Sequence, residues 1–260
     1  MTNDAIREIH RSRWRREHER LGFIDIRQQG FARGGLGQYV SDLTVRLVIL
    51  GGDPERDLIE FDDEFWSWWK GNHVSPFGRA TEDWERLIPT THAAVRYHPH
   101  SSRSWDWGSY IALCRNGGLD MGLGREGAAV TSDHKRIFRL VGIVGRLWTA
   151  LDLYREAVER FNINGPWECS VALLGTSGSM LCNFATGWAE YPDPDANPRS
   201  CPEPNLWRRW EMHEWPAQDA TKDIAFAAGA WIENSWGMQV RRFIAHSGSL
   251  EGQFDVSCYR

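Results

Sequence analysis

The feature that most constrains the fold is a helical pattern at residues 137–162, where apolar residues recur every three or four positions. That spacing places them on one face of a helix over about seven turns. At about 1.5 Å per residue the helix is about 39 Å long, and Asn164-Gly165-Pro166 carries the signals expected beyond its end. An apolar face of this length has to be covered, and a β-sheet is its natural partner. The face consists of Ile137, Leu140, Val141, Val144, Leu147, Trp148, Leu151, Tyr154, Ala157, Val158 and Phe161.

Two pairs of apolar segments flank this helix and predict hairpins. Residues 107–114 and 119–123 are joined by an Arg-Asn-Gly-Gly turn, in which Asn-Gly supplies the positive φ angles of a tight hairpin. Residues 167–174 and 179–185 lie on either side of a Gly-Thr-Ser-Gly sequence, whose composition also favours a turn. The helix is therefore expected to pack on strands that precede and follow it.

The last third of the chain predicts a further strand and a second helix. Residues 207–215 favour a strand, and residues 219–236 favour an amphipathic helix that Asp219 caps and Gly237 ends. The proline-rich stretch 191–204 predicts a polar connector that runs over the surface. The buried positions of the second helix are expected to be Ile224, Ala227, Ala228, Trp231, Ile232 and Trp236.

Together these elements predict an α+β fold. An antiparallel sheet is built from hairpins, and the helices at 137–162 and 219–236 pack on one of its faces. A chain of 260 residues is long enough for two domains. We place a boundary near residue 104, between a mixed helical region (1–104) and a hairpin–helix–hairpin–strand–helix domain (105–260).

The N-terminal region predicts shorter elements. Residues 3–21 favour a helix, residues 23–31 a short strand, and residues 40–50 a buried strand, with a helix as the alternative. Residues 62–70 predict a short aromatic helix whose acidic first turn suits the helix dipole. Residues 71–104 contain three prolines and predict irregular structure.

The predicted first helix carries basic side chains at close spacing. One interpretation is a surface for phosphate groups of nucleic acid or for an acidic partner. Another is an ordinary solvated helix face, and an acidic run at residues 53–64 offers a third partner, within the fold or across a dimer. The basic side chains are Arg7, Arg11, Arg13, Arg15 and Arg16.

Tryptophan and arginine are both enriched in this chain. Fifteen residues are Trp and, with lysine at three positions, 27 of the 30 basic residues are Arg. Trp and Arg dominate the hot spots of protein interfaces, where Lys is depleted. Ring-filled cores and codon usage explain the same composition. Because Trp66, Trp68 and Trp69 cannot share one face of a helix, we predict that at least one points outward and forms a partner surface.

The cysteines and histidines show no site spacing. The five cysteines are odd in number and widely separated, and no signal peptide or long apolar run is present. This predicts a reduced cytoplasmic protein with mostly buried cysteines and no membrane span. Residues 71–104 hold four histidines, but no third and fourth ligand follows at metal-site spacing. No metal and no cofactor are therefore predicted.

Three segments of the second half carry a family resemblance: FNINGPWECSVALLGTSGSMLCNF, LWRRWEMHEWP and DIAFAAGAWIENSWG. Residues 105–245 resemble the region that follows the AlbA-type, Schlafen-related DNA-binding domain of bacterial proteins. The cues are an Asn-Gly-Pro turn after a helix, a Val-Ala-Leu-Leu hairpin and a Trp-Gly pair at the end of the last helix. The signatures of the AlbA-like domain itself are not evident. The resemblance implies a bacterial cytoplasmic companion module, linked to antiviral defence or regulation, with no catalytic motif.

The residues themselves carry no motif that names a reaction. Neither Gly-x-Ser-x-Gly nor His-Glu-x-x-His occurs. We therefore predict a non-enzymatic interaction protein that binds a protein partner, a second copy of itself or a ligand. Two alternatives stay open: a nucleic-acid-binding accessory protein that uses the basic first helix, and a hydrolase or nuclease with a site assembled from scattered side chains. For the enzyme alternative, the side chains that would have to converge are His92, His98, His100, Glu168 and Glu211.

Overall fold

The computed structural model describes residues 43–51, 56–71, 86–89, 93–99, 107–124, 127–130, 134–182, 200–213, 215 and 218–237. These residues form ten strands and three helices. The strands are β1 (Val45–Leu50), β2 (Arg86–Pro89), β3 (Ala93–Pro99), β4 (Trp107–Cys114), β5 (Leu119–Leu123), β6 (Ala128–Val130), β7 (Arg136–Arg139), β8 (Trp167–Leu174), β9 (Met180–Cys182) and β10 (Asn205–Met212). The helices are α1 (Asp63–Lys70), α2 (Leu140–Phe161) and α3 (Gln218–Ser235).

A seven-stranded antiparallel sheet forms the centre of the fold, in the order β10-β8-β1-β5-β4-β3-β2. β1 is buried along its whole length, as its apolar and β-branched sequence predicts. It lies between β5 and β8, so the sheet joins strands from both sides of residue 104, where the sequence predicts a domain boundary. The α+β class is confirmed.

The alternation of side chains gives the sheet two different faces. We call the face that carries Val45, Leu47 and Ile49 the helix face, and the face that carries Arg46 and Val48 the opposite face. All three helices contact the helix face. Trp69 of α1 lies beside Arg96 of β3, and Trp231 of α3 packs against Trp210 of β10. Helix α2 reaches this face through Trp215, whose ring packs against Tyr154 of α2 and against Trp167 of β8. The predicted packing of helices on one face is therefore confirmed.

Helix α2 begins three residues later than the sequence predicts. Residues 136–139 pair as β7 with β6 and β9, so the segment at 137–139 is strand and not helix. Its apolar pair, Ile137 and Phe138, fits the helical spacing by coincidence, and both side chains are buried. The helix ends at Phe161, where Asn162 adopts the left-handed conformation (φ 50°) and its N–H donates to the carbonyl of Val158.

The predicted hairpin between residues 167–174 and 179–185 is wrong. β8 pairs with β1 and β10, whereas β9 pairs in parallel with β7 in a second, three-stranded sheet of order β6-β7-β9. Both edges of β8 are thus already occupied. The turn after β8 is held by the chain before β10, since the N–H of Thr176 donates to Pro204 O and that of Gly178 to Cys201 O. Cys201 is buried, so the end of the predicted surface connector is packed into the fold.

The prediction of irregular structure at residues 71–104 is also wrong in part, because β2 and β3 lie within it. Among the described residues, Pro89 lies on the edge strand β2, and Pro99 follows a register shift in β3, which are positions where a strand tolerates a missing N–H. In α3, Asp219 is the second residue of the helix and not the residue before its start, and Ala227 is exposed where burial was expected. Gly237, with φ 70°, ends that helix as predicted.

The hairpin of β4 and β5 has the predicted bounds but a different turn. Gly117 has a positive φ angle of 81°, whereas Asn116 does not and instead accepts a hydrogen bond from the N–H of Gly118 through Oδ1. The predicted elements at residues 3–21 and 23–31 lie outside the described residues. Within the described part of the chain, no helix has the length and apolar character needed to cross a bilayer.

Candidate interaction surface

An ion pair is buried on the opposite face of the sheet, where β1 and β5 are neighbours. Arg46 is only 4% exposed. Its Nε and Nη2 atoms lie 3.2 Å from Oδ1 and Oδ2 of Asp120, in a two-pronged pair. The hydroxyl of Tyr110, on β4, donates to Oδ1 of Asp120 at 3.2 Å. The carboxylate therefore receives three donors, which is what a buried charge requires.

The surroundings of Arg46 keep its guanidinium charged. Burial alone lowers the pKa of this group, but the charge of Asp120 and the hydrogen bonds with Asp120 and Tyr110 outweigh it, so the pKa of Arg46 is raised. The carboxylate of Asp120 accepts all three hydrogen bonds from side chains of the same sheet. The group therefore joins β1, β5 and β4.

Gly122 makes room for the phenol of this group. It lies directly opposite Tyr110 in the pairing of β4 and β5. A Cβ atom at position 122 would lie 2.2 Å from Cε1 of Tyr110, far inside van der Waals contact. The tyrosine ring lies over the glycine, and this contact holds the hydroxyl beside Asp120.

A second charged group lies towards the edge of the same face, on β8 and β10. Glu168 and Glu211 are directly opposite each other in register. Nη2 of Arg209 lies 3.0 Å from Oε2 of Glu168 and 2.8 Å from Oε1 of Glu211. One cation thus bridges both carboxylates. This arrangement is an ion-pair network.

Among the described residues, β10 is the edge strand of the main sheet beyond β8. Trp207 projects from its opposite face and is 56% exposed. It pairs with Ala172, whose small side chain covers little of the indole. Arg208 is exposed, with Cζ 5.2 Å from the ring centroid of Trp210. We call Trp207, Arg208, Arg209 and Glu211 the β10 surface.

The tryptophans predicted as a partner surface lie mainly between α1 and the rest of the core. Trp69 is fully buried. Trp66 and Trp68 are partly buried: the first donates its Nε1–H to the carbonyl of Phe61 at 3.1 Å, and the second packs edge-on against Phe161. Among the described side chains, Trp207 is the tryptophan that is mostly exposed.

The residues named for the enzyme alternative are brought together only in part. Glu168 and Glu211 are neighbours, but His98 lies on β3, four strands from β8. At about 4.8 Å per strand this is a separation of about 19 Å. His92 and His100 lie outside the described residues. The described part of the chain contains no group of three or more His, Cys, Asp or Glu side chains arranged for a metal ion.

Two other sets of predicted residues can be placed. Cys114, Cys169, Cys182 and Cys201 are buried thiols, which confirms their predicted role as small core residues. Burial and the charge of Glu168 raise the pKa of Cys169 to about 12. The basic side chains proposed to bind nucleic acid or an acidic partner lie outside the described residues: Arg7, Arg11, Arg13, Arg15 and Arg16.

No protein-family model matches this chain, and neither does any curated protein or solved structure compared with it. The resemblance to the region that follows the AlbA-type domain therefore stays a prediction.

Sequence reasoning passed over the buried charges. Arg46 is the one charged residue in the strand VRLVIL, and Asp120 is the one charged residue in LDMGL. Charges are rarely buried unless they are paired, so two lone charges of opposite sign in apolar strands are a usable signal. That signal indicates that the two strands are neighbours.

Proposed function

We propose that this chain is a non-enzymatic interaction protein that binds its partner through the β10 surface. The single observation that carries the proposal is the exposure of Trp207 on an eight-residue strand that lies at the edge of the main sheet among the described residues. Trp is costly to leave in water, and together with Arg it is the residue type most enriched at the energetic centres of interfaces.

The chemistry of the β10 surface supports contact through an added strand. An edge strand offers backbone N–H and C=O groups to an extended segment of a partner, while alternate side chains give specificity. Trp207 and Glu211 project from one face of β10, and Arg208 from the other, so an added strand would meet an apolar anchor and both signs of charge.

We propose a second copy of the chain as the partner. An edge strand that pairs antiparallel with its own copy gives a closed two-fold interface, and closed two-fold dimers are the commonest oligomers. Arg209 and Glu211 carry opposite charges two residues apart on β10. In an antiparallel pair of β10 strands, Arg209 of each copy can therefore lie opposite Glu211 of the other copy.

Sedimentation velocity over a wide range of protein concentrations tests this proposal. We expect a monomer–dimer equilibrium that Trp207→Ala weakens by at least about thirty-fold, the loss of about 2 kcal/mol typical of a hot-spot tryptophan. The amides of β10 should also exchange more slowly with deuterium in the dimer.

Val130→Ala is the matched control, because Val130 is also exposed but belongs to β6 in the other sheet. It should leave the dimer unchanged. A protein that stays monomeric at every concentration, or a dimer that Trp207→Ala and Val130→Ala weaken equally, would contradict the proposal.

A further inference from the structure

A second arginine, Arg96 of β3, is buried on the helix face of the sheet. It is 7% exposed, and its Nε atom has no hydrogen-bond partner among the described residues. Its neighbour is the ring of Trp69, with 5.9 Å between the guanidinium carbon and the ring centroid. Burial lowers the pKa of Arg96. Among the described residues, no ion pair joins this cation to a carboxylate.

Trp69, the neighbour of Arg96, also carries a buried donor without an acceptor among the described residues. Its indole is fully buried, yet Nε1 has no acceptor within the described part of the chain. Phe65 stacks on Trp69 at 6.0 Å and so restricts the orientation of the ring. A buried donor without an acceptor loses its bonds to water and gains nothing in return. Arg96 and Trp69 thus place two unpartnered donors on neighbouring side chains.

We propose that Arg96 and Trp69 form a binding site for a small oxyanion, a carboxylate or a phosphate group. Both side chains only donate hydrogen bonds, so the ligand has to supply the acceptors. An oxyanion also supplies the negative charge that Arg96 lacks, and charge-assisted hydrogen bonds are the stronger ones.

This site is separate from the β10 surface. β3 lies five strands from β10 in the main sheet, about 24 Å at about 4.8 Å per strand. The site lies on the helix face, whereas Trp207 projects from the opposite face. The two proposals can therefore fail independently.

Thermal unfolding in sodium phosphate, sodium acetate and sodium chloride at matched ionic strength tests the proposal. We expect phosphate or acetate to raise the Tm of the wild-type protein by about 2–4 °C over chloride once the ligand is well above its Kd. A rise with phosphate alone assigns the site to phosphate-bearing ligands, and a rise with acetate alone assigns it to carboxylates. Equal Tm values in the three salts would overturn the proposal.

Arg96→Met is the matched variant, since it keeps the length of the side chain and removes the charge. It should abolish the anion-dependent rise and, in chloride, be at least as stable as the wild type, because an uncompensated buried charge is gone. An Arg96→Met protein that keeps the full anion-dependent rise would show that the ions act elsewhere.

Trp69→Phe keeps a ring beneath the guanidinium and removes the indole donor. It should reduce the anion-dependent rise and identify the Trp69 indole signal in a ¹H–¹⁵N spectrum of the wild type. That signal should shift on addition of phosphate or acetate. An unmoved indole signal at saturating anion would contradict the proposal even if both variants fold poorly.

Discussion

Arg46 and Arg96 are both buried arginines in strands of the same sheet, but their surroundings differ. Arg46 meets a two-pronged carboxylate, and its pKa is raised, whereas Arg96 meets an aromatic ring, and its pKa is lowered. The difference follows from the neighbouring strands. β1 lies beside β5, which carries Asp120, while Arg96 is opposite Ile111 of β4. Burial alone therefore does not tell in which direction the pKa of a charged side chain shifts.

The largest effect is expected from Arg46→Met. The variant leaves Asp120 charged and buried without its partner, which costs about 3–5 kcal/mol of unfolding free energy. Chemical denaturation measures this loss. Arg96→Met should cost far less or stabilise the protein, because it leaves no counter-charge behind.

The double variant Arg46→Met/Asp120→Leu is the control for that measurement. Apolar replacement of both partners should recover most of the stability, since the uncompensated charge is removed. Equal losses in the single and double variants would mean that Arg46 acts through packing and not through its charge.

Gly122→Ala tests the hydrogen bond from Tyr110 to Asp120. The added methyl displaces the ring of Tyr110 from its place beside Asp120, and we expect a loss of about 1–3 kcal/mol in the same denaturation experiment. The substitution should cost much less in a Tyr110→Leu background, because the clashing ring is absent. A cost that is independent of the residue at position 110 would argue against this contact.

Cys169 links stability to alkaline pH. Its pKa is raised from 9.0 to about 12, so the folded protein keeps the thiol proton over a range in which the unfolded chain loses it. Stability from this group is complete below pH 9 and falls as the pH rises, by about 1.4 kcal/mol for each unit within the window. Cys169→Ala should flatten this fall, as measured by urea unfolding at several pH values. An unchanged slope would assign the fall to other groups.

The smallest effect is expected at an exposed ion pair, Arg160 with Glu64, whose Nη2 and Oε1 atoms are 2.6 Å apart. Both side chains are largely in water, so Glu64→Gln should change the unfolding free energy by about 0–1 kcal/mol. A loss as large as that of Arg46→Met would remove burial as the explanation of the difference between the two ion pairs.

Much of the fold follows from local pattern. The bounds of β4 and β8 match the predicted ones, since each is a mostly apolar segment that ends at a turn signal. Local pattern does not predict which strands pair with each other. The turn after β8 has hairpin composition, yet the strand that follows joins β7, because both edges of β8 are occupied by distant strands.

The candidate sites were harder to predict. The exposure of Trp207 and the burial of Trp69 depend on which strand is at the edge and on where α1 packs. Both are properties of the tertiary fold. The lone arginine in VRLVIL was a readable signal, whereas Arg96 lies in a segment whose prolines predict irregular structure. Its burial became visible only with the pairing of β3 and β4.

A strand made early in synthesis but paired on both sides with strands made later has to wait for them. β1 is such a strand, because β5 and β8 both follow it along the chain. Long loops have to close before this pairing lowers the free energy, and topologies of that kind fold slowly. During translation the apolar row Val45, Leu47 and Ile49 therefore emerges before its partners. A nascent chain stalled before β8 is expected to need a chaperone to stay free of aggregates.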